Sequence, residues 1–214
     1  MACSPVDWNV VVVGAWNLAI LTPAGIARRL LNLDENTPVE VQVPLDRRAP
    51  IRVVHNQLLV VPAGGRLTIA PVEPNPEGLR EASLVAARAI DSLPETPFSA
   101  AGLNIRYRFD TAPDPLLSFL GSGVDDPLAD ADFRVLHRAL KRAVAWREGL
   151  LNIELESDQD GTGAVALNFH KDSMNGAELR RWLEQVGEMI DLAGHLLRTT
   201  LSLDTMEGNR DGQD

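Results

Sequence analysis

The chain has 214 residues, of which 45% are hydrophobic and 23% are charged, and its formal net charge at pH 7 is −10. Its length suits one domain with a sizeable core, its acidic balance disfavours binding to nucleic-acid phosphates, and no apolar run reaches the roughly 18 residues of a membrane helix. The single cysteine, Cys3, excludes an intramolecular disulfide and, with no secretory signal at the start of the chain, predicts a cytoplasmic protein.

The first predicted element is a β-hairpin formed by the apolar runs 10–13 and 18–21. Gly14 and Ala15 join them, and a two-residue link that begins with glycine is typical of a type II′ turn. A dinucleotide-binding loop needs G-x-G-x-x-G before a helix, and a second glycine is missing here. Both faces of the hairpin are apolar, so we expect one to be covered by helices and the other by a further surface.

The elements that follow are a short helix, an antiparallel meander and a second helix. Thr22 and Pro23 are typical of a helix start, as are Asn75 and Pro76. The apolar stripe of the second helix runs through Leu79, Ala82, Ala86, Ala89, Ile90 and Leu93. Alternating patterns predict strands at 39–43, 51–55, 58–61, 66–72 and 103–109.

Beyond residue 110 the sequence predicts an irregular connection to residue 130, a helix over 132–148, strands at 151–155 and 165–169, and a long helix over 176–201. The helix over 132–148 is expected to face inward through Phe133, Leu136, Leu140 and Val144. Strands come in antiparallel groups, which predicts an α+β fold with a mainly antiparallel sheet of seven to eight strands, helices on one face and a long C-terminal helix. We expect a single domain over 1–203 and a disordered tail over 204–214.

Catalytic and metal-binding patterns are missing from the sequence. No P-loop, G-x-S-x-G elbow or clustered zinc ligands occur. The acidic loop from Glu156 to Gly161 imitates a calcium loop, but Leu167 stands where a bidentate glutamate is required. Near His170, Ser173 or Asn175 is expected to cap the last helix. The sequence therefore predicts no catalytic residue, no metal and no cofactor, and favours a protein that is not an enzyme.

A polar sheet face is the best candidate for a small-molecule site. Arg106 and Arg108 share the polar face of one strand, where two guanidinium groups can bind a carboxylate or phosphate. Arg52 and His170 are the further candidates for this site. The alternative is a solvated face with cross-strand ion pairs to Glu40, Glu154 or Glu156.

The long last helix predicts an interface between subunits. Its apolar residues follow steps of three and four, and a second stripe widens the apolar surface. Gly187 and Gly194 permit the close approach of another backbone. The alternative is that the helix lies across its own sheet. The predicted interface residues are Trp8, Trp16, Trp182, Val186, Met189, Ala193 and Leu196.

The segment Gly102-Leu103-Asn104-Ile105-Arg106-Tyr107, with 116–120 downstream, resembles a family of uncharacterised bacterial α+β proteins with a Gly-Leu-Arg-Tyr-type strand. The resemblance implies an α+β fold and a bacterial source, and it implies no activity. We therefore expect a non-enzymatic interaction, accessory or regulatory protein that forms a homodimer or binds a protein partner. The alternative is a sensor or enzyme for a small anionic ligand at Arg106 and Arg108.

Overall fold

The computed structural model describes residues 2–46, 49–121 and 123–205, and nine strands in these ranges form one open antiparallel sheet. Its order is β2-β3-β4-β5-β1-β6-β9-β8-β7. This confirms the α+β class and the antiparallel sheet, with nine strands rather than seven to eight. The strands are β1 (Ala2–Gly14), β2 (Glu40–Gln42), β3 (Arg52–His55), β4 (Leu58–Ala63), β5 (Arg66–Pro71), β6 (Phe98–Phe109), β7 (His137–Trp146), β8 (Gly149–Asp158) and β9 (Gly163–Asp172).

Six α-helices connect or follow these strands in the part of the chain that is described. They are α1 (Pro23–Arg29), α2 (Pro76–Ser92), α3 (Asp114–Leu120), α4 (Asp125–Asp130), α5 (Gly176–Leu183) and α6 (Val186–His195). The predicted starts of α1 and α2 are confirmed, because Thr22 accepts a hydrogen bond from the Gly25 N–H at 3.2 Å and Asn75 accepts one from the Gly78 N–H at 2.7 Å. None of the described helices is long and apolar enough to cross a membrane.

The core lies on one face of the sheet. Along β1 and β6 the side chains alternate, so that Trp8, Val10 and Leu103 are buried while Asn9, Val11 and Asn104 on the other face are only partly buried. Helices α2 and α5 add their apolar stripes to the buried face, including Leu79, Ala82, Leu179 and Trp182. Among the described residues, α2 and α5 are the helices that pack on β1 and β6, and the opposite face of these strands carries no helix layer.

The predicted hairpin at residues 10–21 is wrong. Strand β1 ends at Gly14, and the chain then enters a turn and α1 instead of a second strand. Gly14 packs against the β6 side, where an added Cβ would lie 3.0 Å from the Pro97 carbonyl oxygen. Trp16 then folds back, and its indole N–H donates to the Val12 carbonyl at 3.0 Å. The glycine permits a close backbone approach, which explains why a turn-like sequence ends a long strand.

The predicted helix over 132–148 is also wrong. Residues His137–Trp146 form the edge strand β7, which pairs with β8 along its whole length. Arg147 takes a positive φ of 49° in the two-residue connection to β8. Of the four side chains expected to face inward, Phe133 and Leu136 are 65% and 63% exposed. Leu140 is half-buried, and Val144 is 41% exposed. Pairing with β8 overrides the helical spacing of these residues.

The long last helix is divided into α5 and α6, and residues Leu196–Thr200 form a π-helical turn. Its predicted interface is corrected, because the apolar side chains lie in the core of their own chain. Trp8, Trp16, Trp182, Val186, Met189 and Ala193 are each at most 9% exposed, and Leu196 is half-buried against the same core. They are covered by the sheet and helices of their own chain.

Residues Asp204 and Thr205 belong to the fold rather than to a disordered tail. They form a short strand, β10 (Asp204–Thr205), that pairs in parallel with Ala2 and Cys3 at the start of β1. The rest of the predicted tail, 206–214, lies outside the described residues. The two ends of the described chain are therefore held together by backbone hydrogen bonds.

Candidate functional site

Four asparagines form a continuous hydrogen-bonded row across the uncovered face of the sheet. Strand register places Asn9, Asn104, Asn168 and Asn152 side by side on β1, β6, β9 and β8. The Asn152 amide donates to Asn168 at 2.9 Å, Asn168 donates to Asn104 at 2.7 Å, and Asn104 donates to Asn9 at 2.8 Å. Asn9 in turn donates to Asp7 at 2.9 Å. We call this row the asparagine ladder.

The asparagine ladder links the four adjacent strands β1, β6, β9 and β8 on the face opposite to α2 and α5. Each inner asparagine donates one side-chain hydrogen bond and accepts another, so partly buried amides are satisfied within the sheet. If one of these strands slipped by one residue against its neighbours, its asparagine would turn to the core face. The ladder therefore forms a hydrogen-bonded polar surface beside the arginines of β6.

Replacing Asn104 with alanine is expected to lower the free energy of unfolding by about 1–2 kcal/mol, because Asn9 loses its donor and Asn168 loses its acceptor. The matched control is Asn152→Ala at the end of the ladder, where one side-chain hydrogen bond is lost. Urea unfolding of both variants measures the difference. An Asn104 variant no less stable than the Asn152 variant would contradict a cooperative ladder.

Arg106 and Arg108 lie side by side on the uncovered face and border a cavity of about 350 Å³. Their register neighbours on β9 are Ala166 and Ala164, whose methyl groups are too short to cover the guanidinium groups. Neither arginine forms an ion pair in the described ranges. The cavity is lined by Val6, Asp7, Arg106, Arg108, His137, Glu156, Ser157, Asp158, Thr162, Gly163 and Ala164.

Acidic groups line this cavity on both sides of the arginines. On the near side, Asp7 of β1 is the register neighbour of Arg106. Glu156 projects from β8 next to Ala164, and Asp158 binds His137 with 2.9 Å between Oδ1 and Nδ1. Just beyond the cavity, Lys141 contacts Glu154 at 2.5 Å, and the hydrogen bond from Lys141 holds the pKa of that carboxyl below its usual range. Of the predicted cross-strand partners, Glu154 pairs with Lys141 of β7, Glu156 lines the cavity without an ion pair in the described ranges, and Glu40 lies on β2.

Two of the predicted ligand-binding residues lie elsewhere. Arg52 is on β3, with β4, β5 and β1 between it and β6. His170 lies opposite Gly102, two residue rows from the arginines along the same face, and its Nε2 lies 2.9 Å from Asp172 Oδ1. The structure therefore brings together Arg106 and Arg108 and adds His137, which the mistaken helix over 132–148 had hidden.

A second surface is apolar. In the segment from α3 to the start of β7, five large apolar side chains are exposed to between 36% and 65% of their area. Exposed apolar side chains that cluster are candidates for an interaction site, whereas single ones are ordinary on a protein surface. We call it the 117–136 surface, and it consists of Leu117, Phe119, Val124, Phe133 and Leu136.

Groups suited to covalent or metal chemistry are sparse in the described ranges. Burial raises the pKa of the Cys3 thiol to about 11, so this thiol is protonated at neutral pH. The acidic loop between β8 and β9 is a turn in which Asp160 accepts hydrogen bonds from the Thr162 N–H and hydroxyl at 3.0 and 2.7 Å. No group of three or more potential metal ligands occurs among the residues that the structure covers.

No protein-family model matches this chain, and none of the curated proteins matches it at a significant level. The geometry of the two surfaces is therefore the basis on which a function is proposed.

Proposed function

We propose that this protein acts by binding rather than by catalysis, and that it associates with a second copy of itself through the 117–136 surface. The observation that carries this proposal is the exposure of five large apolar side chains in one segment, with Phe133 and Leu136 65% and 63% exposed. Covering these side chains removes apolar area from water and stabilises an assembly at about 25 cal/mol per Å².

Charges around the 117–136 surface favour a second copy as the occupant. Exposed Asp126, Asp130 and Asp132 lie in or directly after α4, and exposed Arg134 and Arg142 lie before and within β7. In a two-fold interface the same surface patch occurs on both copies. An acidic group of one copy can therefore face a basic group of the other. This complementarity offsets the repulsion expected between chains of net charge −10.

Replacing Phe133 with serine is expected to weaken the dimer. The substitution occurs twice in a two-fold assembly and removes apolar burial of about 3 kcal/mol in total, which corresponds to about a hundredfold rise in the dissociation constant. Size-exclusion chromatography with light scattering over a range of micromolar concentrations measures the change.

The matched control for this experiment is Leu45→Ser, because Leu45 is fully exposed in the segment between β2 and β3. We expect this control to dimerise like the unaltered chain. A strictly monomeric unaltered chain at these concentrations would overturn self-association. If both substitutions raise the dissociation constant of the dimer equally, the 117–136 surface is not the site of self-association.

A second candidate function is the binding of a small anionic ligand at Arg106 and Arg108. The specific observation in its favour is that two guanidinium groups without ion pairs border one cavity of about 350 Å³, a volume within the range of small-molecule sites. Paired guanidinium groups on one strand suit a carboxylate or a phosphate. This site and the 117–136 surface are tested by different variants, so neither proposal depends on the other.

A further inference from the structure

We infer that the cavity beside Arg106 and Arg108 binds a small zwitterion, with its carboxylate on the arginines and its ammonium group on the acidic wall of β8. This inference rests on the second candidate function and specifies its ligand. The cavity is lined by two arginines of β6 and by carboxylates on both neighbouring sides, Glu156 and Asp158 on β8 and Asp7 on β1. A ligand with both charges therefore fits it better than an anion does.

The cationic wall comes from β6. Arg106 and Arg108 are two residues apart, so both side chains leave the same face of the strand, and both are exposed. On β9 the residues beside them are Ala166 and Ala164. Because these methyl groups are short, the space above β9 stays open to the arginine side chains.

The acidic wall comes from β8. Arg108, Ala164 and Glu156 lie in one row across β6, β9 and β8. Neighbouring strands are about 4.8 Å apart, so the backbones that carry Arg108 and Glu156 are separated by about 9.6 Å across the alanine. Glu156 forms no ion pair in the described parts of the chain, in contrast to Glu154, which contacts Lys141. The row therefore holds a cation and an anion that do not neutralise each other directly.

The electrostatics of this row disfavour a ligand with negative charge alone. An anion on Arg108 would also face Glu156 and Asp158, which line the same cavity. A ligand with an ammonium group a few bonds from its carboxylate meets an opposite charge at both ends. The cavity volume of about 350 Å³ admits molecules of this size, such as an amino acid.

The test uses matched pairs of probes that differ by one charged group. Glycine, γ-aminobutyrate and ε-aminocaproate are titrated into the isotope-labelled protein at low salt, each beside the carboxylate of equal carbon number: acetate, butyrate and caproate. NMR chemical shifts of β6, β8 and β9 amides report binding. We expect at least one amino acid to bind about fivefold more tightly than its carboxylate, the ratio that about 1 kcal/mol from one exposed ion pair produces.

Two variants test the contacts of the carboxylate and of the ammonium group separately. Arg108→Gln is expected to weaken the amino acid and its matched carboxylate alike, about fivefold. Glu156→Gln is expected to weaken the amino acid and to strengthen the carboxylate, so that the preference for the amino acid falls, while Asp158 and Asp7 remain in the cavity. Arg52→Gln is the control, since Arg52 is an exposed arginine on β3, away from the cavity. The NMR spectra also report whether each variant keeps its fold.

The outcomes distinguish this inference from the function on which it rests. Carboxylates that bind the unaltered protein as tightly as their amino acids would overturn the zwitterion and retain an anion site. The absence of binding by every amino acid and carboxylate would overturn both. A preference for the amino acid that is undiminished by Glu156→Gln would show that Glu156 does not bind the ammonium group and would overturn the inference.

Discussion

Replacing Trp182 with alanine is expected to lower the free energy of unfolding by about 4 kcal/mol, as is typical for removal of a buried large aromatic side chain. Trp182 is 2% exposed, and its ring centroid lies 5.2 Å from that of Trp146 in an edge-to-face contact. An added Cβ at Gly149 would lie 2.7 Å from the Trp182 ring, which shows how closely the β7–β8 connection packs on the indole. The alanine variant leaves a cavity between α5 and the sheet.

The measurement is urea unfolding together with light scattering. An interface role for Trp182 would instead lower the association constant and leave the stability of the monomer nearly unchanged. Leu196→Ala is the control, because Leu196 is half-buried at the edge of the same core. This substitution should lower the free energy of unfolding by about 1 kcal/mol. Loss of stability close to that of the control would contradict the placement of Trp182 in the core.

The apolar spacing of the last helix correctly predicted helical structure, but it left open which surface covers the helix. The spacing of Trp182, Val186 and Met189 is the same for a helix on its own sheet and for a helix on a second subunit. Only the packing of α5 on the sheet and of α6 on α2 separates these cases. The buried stripe of α2 was identified correctly, because a proline after an N-cap asparagine located its start.

The same rules failed where local sequence and strand pairing disagree. In β7, alanine, leucine, lysine and arginine favour a helix, yet backbone pairing with β8 along all of His137–Trp146 decides the conformation. The helical steps at Phe133 and Leu136 belong to exposed side chains instead. This error hid both His137 at the cavity and the apolar 117–136 surface, because inward-facing residues were expected there.

The part of the candidate site that comes from residues close together in the sequence was predictable. Alternation along β6 places Arg106 and Arg108 together, and the structure confirms that they share a face. The asparagine ladder joins residues that are 95, 64 and 16 positions apart in the sequence. Outward-facing asparagines in alternating strands are the available signal, but their alignment depends on the order and register of strands, which local patterns do not specify.

Two substitutions of glycine by alanine are expected to change stability in opposite directions. Gly163 begins β9, and an added Cβ there would lie 2.1 Å from the Glu156 carbonyl oxygen and 2.5 Å from the Phe109 ring. Neither contact can be relieved without separating β9 from β8 or moving a buried side chain, so Gly163→Ala should lower the free energy of unfolding by about 3 kcal/mol. Because Gly163 lines the cavity, the same change should weaken ligand binding there.

Gly187 is the matched control on α6. An added Cβ meets nothing within 4 Å, and alanine is favoured over glycine inside a helix by about 1 kcal/mol. Gly187→Ala should therefore raise the free energy of unfolding, since no backbone in the described part of the chain lies close enough to require the glycine. Urea unfolding measures both variants. If Gly187→Ala leaves the monomer stable but disrupts association, a second backbone packs at this glycine, and the dimer surface must extend from 117–136 to α6.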